Sequence, residues 1–524
     1  MALPPQPIPG KRLLAALVVA VVGCAAGVIL RALAPRRPPA EGARPAAWRP
    51  PERAEATWSP PDDFGRPINR EVAGVVCFRG NAQRNYYGEG PVPQGPVRIL
   101  WRLPIGADPA EGRWNGVGWT GQPLVVEWPA NVRARMNFLR PPGPEAEVVV
   151  GALDGRVHFA DARTGERSRP PLRVPIPNPI KGTVSIDPRG YPLLYVGCGL
   201  PRAKAGFRVF SLLDFRELLW LPGSDRRAPR AWPAFDSNAL VLRDHLLLAG
   251  ENGLFYLARL GARWDAAAGS LRLAPHVTRV PVTPAGIESS LAVWGDHAYA
   301  GDTDGNLWRF DLAHGGRAER LRNLGDDADS TVTFDRDGTF YVGIEVDHRG
   351  ARARGRLYRL RAPGGSVVWR WDFPAESILG KTRLHALNGG VLSTVAVWPE
   401  GGLVFVTTAH HPRRYRGALV ALDRETGRPR WTRRLRRYAW SSPVVVDGVV
   451  VAGDASGAVY VCDAATGRSL LTDAAGAPIE FLDVGATIEG SPLVWRGRIY
   501  LGVRGGALLC LGVPDPEGEG AIAR

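Results

Sequence analysis

Four acidic residues, Asp236, Glu288, Asp329 and Glu489, each head a short run rich in small hydroxyl and apolar residues: DSNALVL, ESSLAVW, DSTVTFD and EGSPLVW. Converging carboxylates are hard oxygen ligands, so they would suit a cation or cofactor site. The same residue types also begin strands by bonding free backbone N–H groups at a turn, and the SS, ST and GS pairs that follow fit that simpler account. Three other segments gather cations. Cys198–Gly206 holds Arg202 and Lys204; Ile344–Gly355 holds His348, Arg349, Arg352 and Arg354; Thr407–Gly417 holds His410, His411, Arg413, Arg414, Tyr415 and Arg416. Adjacent histidines on an extended chain point opposite ways and the arginines oppose a metal, so His410-His411 reads as an exposed polar loop without an ion. Lys381, His385 and Asn388 in KTRLHALNGG form no nucleophile, base and orienting group at a recognisable spacing. No catalytic residue is expected.

The elements that position these groups follow from a repeat. A glycine opens a short apolar run eight times, at Gly155, Gly206, Gly253, Gly305, Gly355, Gly417, Gly457 and Gly506. A period of roughly 40 to 60 residues marks a propeller or solenoid, whose units cannot bury their apolar faces alone. Within a unit, runs of Val, Leu, Phe and Tyr are bounded by Gly, Asp and Asn, which is strand and hairpin chemistry. In SPVVVDGVVVAGDASGAVYVCDAATG the order is strand, Asp447-Gly448 turn, strand, turn, strand. A fourth strand with a bulky apolar residue follows, as at Trp220, Trp369 and Trp431. Each unit is thus a four-stranded antiparallel blade.

The expected fold is all-β: an eight-bladed propeller over residues 76–512. Its last blade lacks a fourth strand, and RILWRLPIG (98–106) supplies that pattern ahead of the first blade. Pairing it into the last blade closes the ring and removes two open edges. The turn between second and third strands emerges on the face where the innermost strand begins. The basic insertions therefore share a face with the acidic strand starts, giving an acidic mouth inside a basic rim.

ALDRETGRPRW (421–431) fits the pattern A-x-D-x-x-T-G-x-x-x-W, and FADARTG and VCDAATG fit it without the Trp. These residues resemble the PQQ-like, quinoprotein-type propeller repeat of bacterial proteins, and FRGNAQRNYYGEG (78–90) is similar to the lead-in before the first blade of such proteins. The resemblance implies the fold firmly and activity weakly, because dehydrogenases and outer-membrane assembly scaffolds share the repeat. In the dehydrogenases a quinone and calcium bind near this end of the channel, which makes Asp236, Glu288, Asp329 and Glu489 the matching positions. The adjacent cysteine pair of many quinoprotein alcohol dehydrogenases is absent, and no cofactor is expected.

Residues 1–12 read as a short cytoplasmic N-terminus and 13–34 as a transmembrane signal-anchor helix. The apolar run Leu13–Leu30 carries no charge and is just long enough to span a bilayer. A lipobox-like Val21-Val22-Gly23-Cys24 offers the alternative of a lipoprotein anchored at Cys24, and a cleaved signal is a third reading. Residues 35–75 form a Pro/Arg-rich linker and 513–524 a tail. The family resemblance places the propeller outside the inner membrane, on the periplasmic side. Five dispersed cysteines argue against zinc, iron–sulfur clusters and a disulfide framework, leaving buried free thiols. The net charge of +15 comes almost wholly from arginine, since only four of 66 basic residues are lysine. No nucleic-acid-binding pattern accompanies it. Three functions fit: a membrane-tethered, non-catalytic interaction scaffold with an envelope protein partner; a PQQ- and calcium-dependent dehydrogenase with an atypical site; and a binder of anionic envelope polymer through Arg202, Lys204, Arg352, Arg354, Arg413, Arg414 and Arg416. A monomeric propeller is expected in each case.

Overall fold

The computed structural model describes residues 61, 63–119, 121–265, 268–347, 352–378 and 387–514. The expected anchor helix 13–34, with Cys24, lies outside them. No helix among the described residues is long and apolar enough to cross a membrane.

Every glycine of the repeat opens or sits in the third strand of a blade, from Arg156–Asp161 in blade 1 to Ala507–Gly512 in blade 8. Eight antiparallel meanders result, with innermost strands Leu124–Glu127, Ser185–Ile186, Leu240–Leu242, Ala292–Trp294, Thr333–Phe334, Ala396–Trp398, Val444–Val446 and Leu493–Trp495. Asp447 and Gly448 both take positive φ, 49° and 73°, the hairpin geometry their types favour. Strand Arg98–Pro104 pairs with Ala507–Gly512 and completes blade 8, as the sequence requires. Blades 8 and 1 share one apolar cluster containing Trp101, Leu493, Tyr500, Val125 and Val148, so the seam is packed like the core.

The repeat motif has a packing reason. Asp423 Oδ1 accepts from the N–H groups of Glu425 and Thr426 and from Thr426 Oγ1, closing the turn. The Trp of one blade lies on the Thr-Gly turn of the next: Trp369 on Gly427, Trp431 on Gly467 and, across the seam, Trp101 on Gly165. A Cβ on Gly427 would meet the Trp369 ring at 2.6 Å, so the indole requires glycine there. Each indole donates to a carbonyl of that turn, Trp101 to Ala162, Trp369 to Arg424 and Trp431 to Ala464, at 2.9–3.2 Å.

The linker expected to reach residue 75 ends earlier, because residues from Asp63 onward already belong to the propeller. Ala73–Val75 adds a strand inside blade 1, and Gly88–Glu89 a parallel strand inside blade 8. Between them the chain bonds successive innermost strands: Val76 to Ile186, Ala82 to Val293, Gln83 to Phe334 and the Tyr87 hydroxyl to Val397. This segment plugs the axis. Innermost strands otherwise expose one backbone edge to the channel, and the plug pairs part of it.

Candidate functional site

Around the axis a belt of hydroxyls joins neighbouring blades. Gln122 N–H donates to Thr183 Oγ1, Asn238 to Ser290 Oγ, Ser290 to Thr331 Oγ1, Thr331 to Thr394 Oγ1, Thr394 to Ser442 Oγ and Ser442 to Ser491 Oγ, all at 2.9–3.3 Å. The SS and ST pairs thus do the backbone work assigned to strand starts. The carboxylates before them do something else.

Asp236, Glu251 and Glu288 bring oxygens within 4.8 Å of one another, and so do Asp327, Asp329 and Glu345. With Lys181, Asn388, Trp114, Trp119, Trp440, Glu489 and Arg504, members of both groups line a cavity of about 390 Å³ on the axis. Lys181 forms an ion pair with Asp236. Burial opposes its charge, but Asp236, Glu251 and Glu288 outweigh burial and hold the ammonium above the usual lysine range. Asp236 is pushed up to about 6 by burial, with Lys181 pulling the other way. Burial first, then neighbouring carboxylates, lifts Glu251, Asp327, Asp329 and Glu345 well above the carboxylate range. Glu489 lies apart from both groups, paired with Arg504 at 2.9 Å.

Asn388 reaches the mouth: its Nδ2 donates to Glu345 Oε1 at 2.9 Å and its backbone carbonyl accepts from Trp440 Nε1 at 3.0 Å. Lys381, His385, His348 and Arg349 lie outside the described residues. Lys181, Glu251, Asp327 and Glu345 were not foreseen. Glu345 sits near the end of second strand Thr339–Val346 and Glu251 in the turn just after second strand His245–Ala249, not at strand starts, while Lys181, one of only four lysines, carried a compositional signal.

The rim differs from expectation at several residues. Arg202 turns inward and clamps Asp108 at 2.9 and 2.5 Å, with Glu111 at 3.2 Å, so it is no free partner-binding group. Arg352 and Arg354 lie in strand Arg352–Arg361, because the extra residues of blade 5 prolong its strands by pairing with 366–376. His410 is buried, 2% exposed, and not on an exposed loop. Its Nδ1 accepts from Tyr415 N–H at 3.0 Å, and burial, then Arg414, lowers its pKa to about 4. His411 points away, bonding the Pro374 carbonyl at 2.8 Å, so the pair does not converge. Lys204 is exposed. Arg413, Arg414 and Arg416 are exposed as expected; with Arg436, Arg437, Tyr415 and Ser456, the last two of these arginines line a groove of about 520 Å³. Arg414 stacks on Tyr415, itself 42% exposed. Among the described residues the carboxylates at this cluster are Asp483 at 2.8 Å from Arg436, Glu376 at 3.9 Å from Arg414, and buried Asp454, which accepts from Arg437 N–H at 3.1 Å and from Ser456 Oγ at 2.6 Å. Rings join groove to cavity: Tyr415 to His410 at 5.9 Å, His410 to Tyr438 at 5.0 Å, Tyr438 to Trp440 at 5.3 Å.

Cys77, Cys198, Cys462 and Cys510 are buried and free, as expected. Among the described residues no nucleophile, base and orienting group come together in the cavity. The all-oxygen donor sets suit a hard cation such as calcium. They suit an anionic quinone less well, since Lys181 and Arg504 already serve Asp236 and Glu489.

The fold is an eight-bladed β-propeller, and its repeat chemistry is similar to that of PQQ-like propellers. Residues 353–513 match the family described as outer membrane protein assembly factor BamB. The chain is 26% identical over 232 residues to a polyvinylalcohol dehydrogenase from a Pseudomonas species, a match covering 38% of this chain and 34% of that protein. It therefore spans about a third of that relative's length. The quinohemoprotein alcohol dehydrogenase of Comamonas testosteroni superposes with a TM-score of 0.52 at 12% identity, covering 84% of this chain and 81% of that one. BamB from Moraxella catarrhalis gives 0.44 at 16% identity, covering 72% and 96%.

Proposed function

We propose that this protein is a non-catalytic binding propeller of the cell envelope, tethered by residues 13–34 to the outer side of the inner membrane, that docks an acidic protein partner on the face where its channel opens. The observation that carries this reading is the exposed arginine groove of blades 6 and 7, where four lining arginines, with Arg413 exposed beside them, outnumber the carboxylates Asp483, Glu376 and Asp454. Guanidinium groups in excess over nearby acids present forked donors to a carboxylate-bearing partner. The match of residues 353–513 to an assembly-factor family supports the same role. Pull-down from detergent-solubilised membranes tests it. An envelope protein retained by wild type and lost from the triple variant Arg413→Glu, Arg414→Glu, Arg416→Glu is expected; equal retention by both, or no envelope protein with either, overturns it. Salt-dependent retention of anionic polymer alone would shift the same groove to polymer binding.

A second reading, a quinone-dependent dehydrogenase, draws on the oxygen-rich cavity with its tryptophans and on the dehydrogenase relative. Calcium would be held by Asp327, Asp329 and Glu345 or by Asp236, Glu251 and Glu288, and the quinone would supply oxidising power when bound. Adding PQQ with calcium and finding neither an absorbance change nor a rise in Tm removes this reading.

A further inference from the structure

The two carboxylate groups of the axial cavity are unequal. One holds an alkylammonium of the protein's own, because Lys181 reaches Asp236 from a mostly buried stem. In the other, neither Asp329 nor Glu345 forms an ion pair among the described residues, and Asn388 holds only Oε1 of Glu345. Oε2 of Glu345 meets no donor although the residue is 1% exposed and borders the cavity. An open buried carboxylate oxygen costs free energy until a donor or cation meets it. The surroundings select among cations. A metal ion needs oxygens at about 2.3–2.6 Å and little more. This cavity offers about 390 Å³ walled by Trp114, Trp119 and Trp440, room and aromatic surface for an apolar stem behind a charged head. Arg113 and Arg504 at its lip are paired with Glu111 at 2.7 Å and Glu489 at 2.9 Å, so they do not fill the role themselves.

We propose that the axial cavity is a receptor for an alkylammonium group, seated on Asp329 and Glu345 against the tryptophans, and that its source is a lysine side chain of the partner docked on this face. The choice of source rests on the docking reading above; the arginine groove takes the partner's acidic residues while the mouth takes its lysine. One segment carrying both charges would then span the ring contacts from Tyr415 to Trp440.

The test titrates full-length protein at pH 8 with Nα-acetyl-lysine methylamide, its norleucine counterpart, 1,5-diaminopentane and calcium chloride, reading tryptophan fluorescence and heat. A saturable response to the lysine compound and none to norleucine is expected, weakened about tenfold or more by Glu345→Gln or Asp329→Asn. Thermal scans establish that these near-isosteric variants are folded. Equal responses to lysine and norleucine compounds, or none to either, overturn the site. Diaminopentane binding more than about tenfold tighter than the lysine compound assigns the cavity to a free diamine and overturns the partner as source. Calcium that binds and is not displaced by the lysine compound makes this a metal site and overturns the proposal. A failed lysine response in protein that still retains its partner through the arginine groove refutes the cavity alone; loss of both refutes the docking reading as well.

Discussion

At the plugged end of the channel Arg79 and Arg84 are fully buried, and neither forms a salt bridge among the described residues. Arg79 donates to the carbonyls of Thr394, Val395 and Pro443 at 2.6–3.0 Å, and Arg84 to those of Leu291 and Phe78 and to Asn238 Oδ1 at 2.7–3.0 Å. Burial lowers the pKa of both, Arg79 to about 10 with Tyr87 opposing, and Arg84 with Cys77 and Asp63 opposing. The open end places six carboxylates against one lysine and leaves oxygens unbonded. A buried charge whose donors are nearly all used is architecture. A buried charge with open oxygens strains the fold until something binds, so function is sought there.

The comparison breaks first if the plugged end is dispensable. A chain beginning at Gly106 loses the plug and the closing strand, exposing the edge of Ala507–Gly512 and eight inner strands. Its Tm is expected to fall by roughly 10 °C or more, with aggregation. Unchanged thermal stability would mean that neither closure nor plug holds the ring. Within the plug, Arg84→Met removes the guanidinium donor from the Leu291 and Phe78 carbonyls and leaves Asn238 Oδ1 only the Phe78 N–H. A loss of about 3–5 kcal/mol in urea unfolding is expected. A change under about 1 kcal/mol would show that water replaces the guanidinium and that the plug is loosely seated.

The open end is expected to respond to pH with the opposite logic. Glu251, Asp327, Asp329 and Glu345 have raised folded pKa values, so their contribution to stability is full below the unfolded value and is lost as pH rises through the folded one. His245, His297, His410 and His411, lowered chiefly by burial, act the other way below about pH 6.5. Between pH 7 and 9 the histidines are silent, while Cys77, Cys198, Cys462 and Cys510, raised by burial, lose stability with the same sign as the mouth, so the mouth's share is read from the Asp329→Asn difference. Tm should fall across that interval, and Asp329→Asn should raise Tm at pH 9 and flatten the slope. A flat wild-type profile would mean that the carboxylates are not mutually strained.

The two ends also differ in how much of them is written locally. Glycine turns, strand periodicity and the D-x-x-T-G turn depend on neighbours in the chain, so blade number and the closing strand were legible. The plug was not, although FRGNAQRNYYGEG stood out. Its side-chain bonds reach residues as far as 364 positions away, and no local pattern encodes such partners. The mouth was half legible. Asp236, Glu288 and Asp329 announce themselves at strand starts, whereas Glu345 comes from a second strand and Glu251 from the turn after one, and they meet the others only because the ring closes. Arg202 was misread for a related reason: Asp108, its partner, lies 94 residues earlier.

The smallest effect on stability belongs to the rim, and that smallness sharpens the contrast. Arg413, Arg414 and Arg416 are exposed, and the ion contact of Arg414 with Glu376 is long at 3.9 Å. Exposed pairs of this kind contribute about 0–1 kcal/mol, so Arg414→Glu should leave Tm within about 1 °C of wild type. Binding should respond far more. Reversing one of the groove's four guanidinium groups places a carboxylate where the partner's acids approach, and retention should drop at low salt while the difference narrows at high salt. His410 gives an internal control, since its lowered pKa owes a lesser part to Arg414 and should rise in the variant, an effect readable by NMR titration. Lost retention with unchanged Tm and a shifted His410 would place binding on the rim; a drop in Tm comparable to that of Arg84→Met would make these arginines part of the scaffold instead.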